Sequence, residues 1–100
     1  MMIRTTILEL AICTLKDRAE AAAARHAAMQ AVRHYPGFVS WRALDSVEQD
    51  DLIADLVEWQ DKAAADAAAQ RVRADPTFAP YMAAITSVSL MQHFSTRFTM

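Results

Sequence analysis

The sequence predicts an α+β fold with elements in the order β-α-β-β-α-β, on three observations. Two alanine-rich stretches without Gly or Pro, Arg18 to His34 and Asp61 to Ala74, have the propensity and length of helices. The bulky apolar residues are gathered in four short runs that flank them and read as strands. Turn signals fall between these runs, at Tyr35-Pro36-Gly37, from Asp45 to Asp50, and at Asp75-Pro76-Thr77.

The first strand covers Ile7 to Leu15, with Leu8, Leu10 and Ile12 on one face and Ile7, Ala11 and Cys13 on the other. Only Glu9 interrupts the second face, so the strand is expected at the centre of a sheet covered on both sides. Asp17 offers an N-cap for the first helix, whose buried stripe is expected at Ala19, Ala22, Ala23, His26, Met29 and Val32. Pro36 and Gly37 stop that helix. Phe38 to Leu44 and Leu52 to Trp59 then form a hairpin around the polar turn. Asp61 caps the second helix, Phe78 to Ile85 adds a short helical turn, and Thr86 to Phe94 is the last strand. In that strand Val88, Leu90 and Phe94 alternate against Ser87, Ser89, Met91 and His93.

This arrangement is ferredoxin-like: a four-stranded antiparallel sheet with both helices on one face, set there by right-handed crossovers. The strands flanking each helix are expected to pair in parallel. The other sheet face then needs a cover. Alanine supplies much of the 54% hydrophobic content and buries little area per residue, so a second copy of the chain is the expected cover.

One hundred residues fit a single domain spanning 1–100. The net charge of −2, with acids and bases interspersed, supplies no basic stripe for nucleic acid. No stretch approaches the roughly 20 apolar residues of a membrane span. The N-terminal apolar run, flanked by Arg4 and broken by Glu9, is too short for a signal peptide, and the protein is expected to be soluble and cytoplasmic. Cys13, the single cysteine, excludes an internal disulfide and reads as a small core residue. Gly37 is the single glycine, which leaves no phosphate-cradling loop for a nucleotide cofactor. His26, His34 and His93 lack ligand spacing, so no metal is expected. Arg25, Arg33, Arg71 and Arg73 read as solvated helix positions.

Chemistry-bearing residues remain. Alternation puts Ile53, Asp55, Val57 and Trp59 on one strand face. Trp59 reads either as a core anchor whose indole N–H finds a carbonyl or as a ring that stacks on a ligand. Asp55 is costly to bury unpaired; it reads either as a paired structural carboxylate or as a general base. Glu9 meets the same difficulty on the first strand, and Arg42 or His93 is its expected partner. His26 is either a satisfied structural histidine or an acid-base group within reach of a pocket.

The chain also resembles the antibiotic biosynthesis monooxygenase domain family of the dimeric α/β-barrel superfamily. The resemblance rests on Tyr35-Pro36-Gly37-Phe38, Glu58-Trp59, Asp75-Pro76 and Phe78-Ala79-Pro80-Tyr81, in that order and spacing, and covers nearly the whole chain. It implies a homodimer whose two sheets form a barrel, with a pocket for a small molecule between each sheet and its helices. Some members carry out cofactor-independent oxygenation of aromatic polyketides and others degrade haem. Of the oxygenase pattern, Trp59 matches the pocket tryptophan; Asp55 stands where an asparagine is expected, Ala65 in place of a tyrosine, and Met82, beside Tyr81, in place of an arginine. Of the haem pattern, Leu10, Ala68 or Ala69, and Met82 replace the asparagine, tryptophan and axial histidine, so haem has no anchor. The resemblance implies a cofactor-free monooxygenase of a small aromatic or quinol-type compound. Asp55 and Trp59 would be its catalytic residues, and His26, Tyr81, Met82 and Leu10 its substrate contacts. The alternative is a dimeric barrel that binds a small molecule, or serves a stress-associated role, without catalysis.

Overall fold

The computed structural model describes residues 5–100; Arg4 lies outside them. The elements are β1 (Ile7–Leu15), α1 (Arg18–Val32), β2 (Phe38–Asp45), β3 (Leu52–Trp59), α2 (Lys62–Val72), α3 (Ala79–Ala84) and β4 (Ile85–Ser95). They build one sheet in the order β2-β3-β1-β4, antiparallel at every neighbouring pair. The α+β, ferredoxin-like arrangement is therefore as expected, and β1 is a central strand. The strand pairing differs from expectation. The strands flanking each helix run parallel but are not neighbours, because β3 lies between β1 and β2, and β1 between β3 and β4. Each helix crosses one intervening strand and still returns to the same face.

Both long helices start on an aspartate cap. Asp17 accepts from the Glu20 backbone N–H at 3.0 Å and Asp61 from that of Ala64 at 2.8 Å, each satisfying one of the otherwise unpaired amides of the first turn. The buried face of α1 consists of Ala21, Arg25, Ala28 and Val32, a helical 4-3-4 spacing rotated from the expected stripe. Ala19, Ala22, Ala23 and His26 are exposed. Alanine on every side of α1 gives the helix little apolar direction, and the partners of Arg25 set its rotation instead.

On β3 the alternation is strict: Ile53, Asp55, Val57 and Trp59 are buried, and their neighbours half-buried. This face carries the helices. Ile53 packs with Cys13, Leu15, Ala28 and Tyr81, and Trp59 with Val32, Tyr35, Val57 and Ala65. Ala28 and Ala65 are fully enclosed, which lets helix backbones approach the sheet closely.

β4 departs from simple alternation. Ile12 pairs with Leu90 but Cys13 with Val88, so Ser89 is an extra residue, a β-bulge. The bulge turns Val88 to the helix side together with Met91, away from Leu90 and Phe94, with which strict alternation had grouped it. The opposite sheet face carries Leu8, Leu10, Ile12 and Leu56, all half-buried, and Phe94, which is exposed. No helix among the described residues is long and apolar enough to cross a membrane.

Candidate functional site

A cavity of about 410 Å³ lies between the helix-bearing face of the sheet and helices α2 and α3, a size in the range of small-molecule sites. Its floor comes from alternate residues of the central strands, Glu9, Ala11 and Cys13 of β1 and Asp55, Val57 and Trp59 of β3. Met91 and Val88 of β4, Tyr81 and Met82 of α3, and the C-terminal end of α2 close it. Most of this lining is apolar.

Asp55 is 6% exposed and carries the densest polar network in the chain. Its Oδ1 accepts from Arg25 Nη2 at 2.8 Å, Arg25 Nε at 3.1 Å and Trp41 Nε1 at 2.9 Å, and its Oδ2 accepts from the Tyr81 hydroxyl. Arg25, 7% exposed, also donates to Asp45 at 2.9 Å and to the carbonyls of Leu44 and Ala54 at 3.2 and 3.1 Å. The expected solvated arginine is thus a buried one. A carboxylate on the covered face of a central strand demands a cation, and α1 passes over it. That demand was readable in the sequence, but with several arginines on the helices nothing singled out Arg25.

Glu9 is the second acid on this floor. It sits opposite Val57, diagonally across from Asp55, and both line the cavity. Trp59 donates its indole N–H to Glu9 Oε1 at 3.2 Å; the partner is a carboxylate where a carbonyl was expected. His93, paired opposite Glu9 on β4, places Nε2 3.7 Å from the same oxygen, and that buried nitrogen has no hydrogen-bond partner among the described residues. His93 is therefore the neighbour of Glu9, and Arg42 is not. Burial raises the Glu9 carboxyl above its ordinary value of 4.5, and the Asp55 charge adds to the rise; His93 and the Trp59 N–H pull the other way without cancelling it.

A carboxyl raised on folding favours the folded state fully below 4.5 and loses that contribution as pH climbs through its folded value. Glu9→Gln keeps an acceptor for Trp59 and removes the buried charge. It is expected to raise the urea midpoint at pH 7, with the gain gone by pH 4. An equal gain at both pH values would rule out this account.

The sequence holds two tyrosines, and neither has an ordinary phenol. Burial, then the facing Asp55 carboxylate, pushes Tyr81 far up, and Tyr35, buried and bonded to Asp75 at 2.5 Å, is pushed up to about 12. For both, the contribution to stability is whole below the ordinary 10.0; that of Tyr35 is lost as pH rises through about 12, and that of Tyr81 only at still higher pH. Phenolate absorbance is expected to stay near zero at pH 10.5 while the circular dichroism is native. A tyrosine titrating at its ordinary value in the folded protein would show this packing to be wrong.

Asp55, Trp59, Tyr81 and Met82 of the expected site residues come together at the cavity. His26 and Leu10 do not: His26 is on the solvent side of α1, and Leu10 on the sheet face away from the helices. Arg25, Trp41 and Glu9 are the additions. No group of three or more His, Cys, Asp or Glu among the described residues is placed to hold a metal ion.

No protein-family model matches the chain, and no curated protein matches it. Solved structures do. A cofactor-independent oxygenase from Streptomyces nogalater, SnoaB, aligns over 96% of this chain and 95% of its own with a TM-score of 0.69 at 21% identity. A candidate antibiotic biosynthesis monooxygenase from Bordetella bronchiseptica aligns over 96% and 99%, with a TM-score of 0.77 at 14% identity. Another from Chloroflexus aurantiacus aligns over 94% and 93%, with a TM-score of 0.68 at 14% identity. The chain has the fold of structures named antibiotic biosynthesis monooxygenases.

Proposed function

We propose that this protein is a cofactor-independent oxygenase of the antibiotic biosynthesis monooxygenase family, acting as a cytoplasmic homodimer on a small phenolic or quinol-type aromatic compound. The observation that carries the reading is the division of labour between the two acids of the cavity. Asp55 has its oxygens occupied by Arg25, Trp41 and Tyr81. Glu9 keeps Oε2 free of donors among the described residues and sits beside an apolar space of ring-system size. A base next to a desolvated aromatic hydroxyl is what such chemistry requires.

In this scheme Glu9 Oε2 takes the ligand's hydroxyl proton. The resulting anion is electron-rich enough to react with dioxygen: a ring carbon forms a C–O bond, and the hydroperoxide loses water to leave a carbonyl. The substrate supplies all four electrons that dioxygen accepts. Trp59 and Trp41 flank the ring plane. Asp55, held by Arg25, fixes the Tyr81 hydroxyl so that its oxygen faces the ligand as an acceptor. The carboxylate first expected to act as base is in this scheme a positioning group. The apolar outer sheet face, with Leu10 and Leu56 opposite each other, supports a homodimer; light scattering at micromolar concentration is expected to read twice the chain mass.

Oxygen uptake with a panel of phenols, naphthols and naphthohydroquinones tests the scheme. Uptake above the uncatalysed rate is expected, lowered about 100-fold or more by Glu9→Gln and also lowered by Trp59→Phe. No uptake with any compound, or uptake indifferent to both changes, removes it. The full occupation of Asp55 favours one second reading, a binder without turnover. Calorimetric binding of the same compounds without oxygen uptake would establish that reading.

A further inference from the structure

The polar groups that line the cavity are almost all committed to one another. The indole N–H of Trp41 is spent on Asp55 and that of Trp59 on Glu9, and the Tyr81 hydroxyl is donated to Asp55. Asp55 is saturated, as described. The exception among the donors is Arg73. It stands at the C-terminal end of α2, lines the cavity and is exposed. It forms no ion pair and no side-chain hydrogen bond among the described residues, whose cation pairs all involve Arg18, Arg25, Lys62 or His93. A guanidinium has five N–H donors in a planar fork and a charge that persists at any working pH.

We propose that Arg73 makes this cavity selective for an anionic aromatic ligand, one whose rings lie against the apolar walls and whose carboxylate meets the guanidinium at the mouth. The proposal rests on reading the cavity as a ligand site and specifies the substrate class of that site. A neutral aromatic compound satisfies the walls but leaves the cation solvated as it was. A carboxylate adds a charge-assisted, two-pronged contact that no other lining group can supply. Glu9 and Asp55 lie on the cavity floor, on β1 and β3, whereas Arg73 is at the end of α2. The carboxylate is therefore oriented outward by repulsion as well as attraction, and a hydroxyl on the same ring system is left toward Glu9.

The test compares 2-naphthoate with its neutral methyl ester by calorimetry on the full chain, together with Arg73→Gln and Arg73→Lys. The wild type is expected to bind the acid about fivefold to tenfold more tightly than the ester, the scale of a partly exposed charge contact. The preference should shrink as salt rises. Arg73→Gln should bring the ratio of acid to ester affinity to about one, and Arg73→Lys should keep part of the preference. Equal binding of acid and ester by the wild type, a preference that survives Arg73→Gln, or binding of neither compound would overturn the proposal. The assay needs no turnover. An acid preference without oxygen uptake would uphold this selectivity and remove the oxygenase reading, and oxygen uptake without an acid preference would do the reverse.

Discussion

Replacing Arg25 by methionine is expected to cost about 3–5 kcal/mol of folding stability, the scale for stripping one partner from a buried ion pair. That is a large share of the roughly 5–15 kcal/mol available to a domain of this size. Methionine approximates the volume of the arginine stem, so the loss is electrostatic more than steric. Asp55 would keep only the Trp41 and Tyr81 donors against its full charge, in a place that excludes water. The carbonyls of Leu44 and Ala54 would lose the Nη2 contact as well. Adding Asp55→Leu should recover part of the cost by removing the stranded charge, but not all of it. Trp41 and Tyr81 would then hold donors with no acceptor, at about 1–3 kcal/mol each. Urea midpoints of the two single variants and the double variant give the coupling. A cost of Arg25→Met under about 1 kcal/mol would mean that the network is not the keystone of this face.

That network shows where the sequence was informative and where it was silent. β3 was legible because period-two alternation is a rigid geometric fact: Asp55 and Trp59 had to share a face, and they do. The element order was legible for a similar reason, since Asp17, Gly37 and Asp61 mark boundaries by local chemistry that tertiary packing does not override. The facing of α1 was not. In a helix that is mostly alanine, a rotation of a third of a turn changes the apolar area buried by little, so hydrophobic pattern cannot choose among rotations. The choice fell to one long-range pair between Arg25 and Asp55, 30 residues apart. The same ambiguity misplaced His26.

Val88 and Glu9 illustrate two further limits. A β-bulge is one extra residue in a strand, and Ser87-Ser89 offered no Gly or Pro to announce it; it became visible only in the register against β1. Glu9 was recognised as an acid in an awkward place, and His93 as one of two possible neighbours. Its position at the cavity depended on which sheet face the helices would cover. Once they cover the side of Asp55, antiparallel register puts Glu9 diagonally beside it, and the acid becomes part of the site.

Gly37→Ala is the second change with a large expected effect, about 2–4 kcal/mol of destabilisation, from two independent causes. The chain leaves the end of α1 and enters β2 through Gly37 at φ +81°, a conformation that costs an L-residue about 1–2 kcal/mol. A Cβ built there would lie 2.4 Å from the Ala64 Cβ, far inside contact distance, in the first turn of α2. Relief requires moving α2 or the turn, and overpacking of this kind costs about 1–3 kcal/mol. Neither move is free. The Gly37 carbonyl accepts the Gln60 N–H at 2.8 Å just before the α2 cap, and Phe38 packs edge-on against Trp59 at 5.8 Å. The displacement would therefore reach the cavity floor. Ala64→Gly separates the two causes: in the double variant the clash is gone and the backbone strain remains. The cost of Gly37→Ala is accordingly expected to fall by about half in the Ala64→Gly background, with the ordinary loss of about 1 kcal/mol for glycine in a helix as the reference. A Gly37→Ala variant as stable as the wild type would contradict both the turn and the seating of α2 against it.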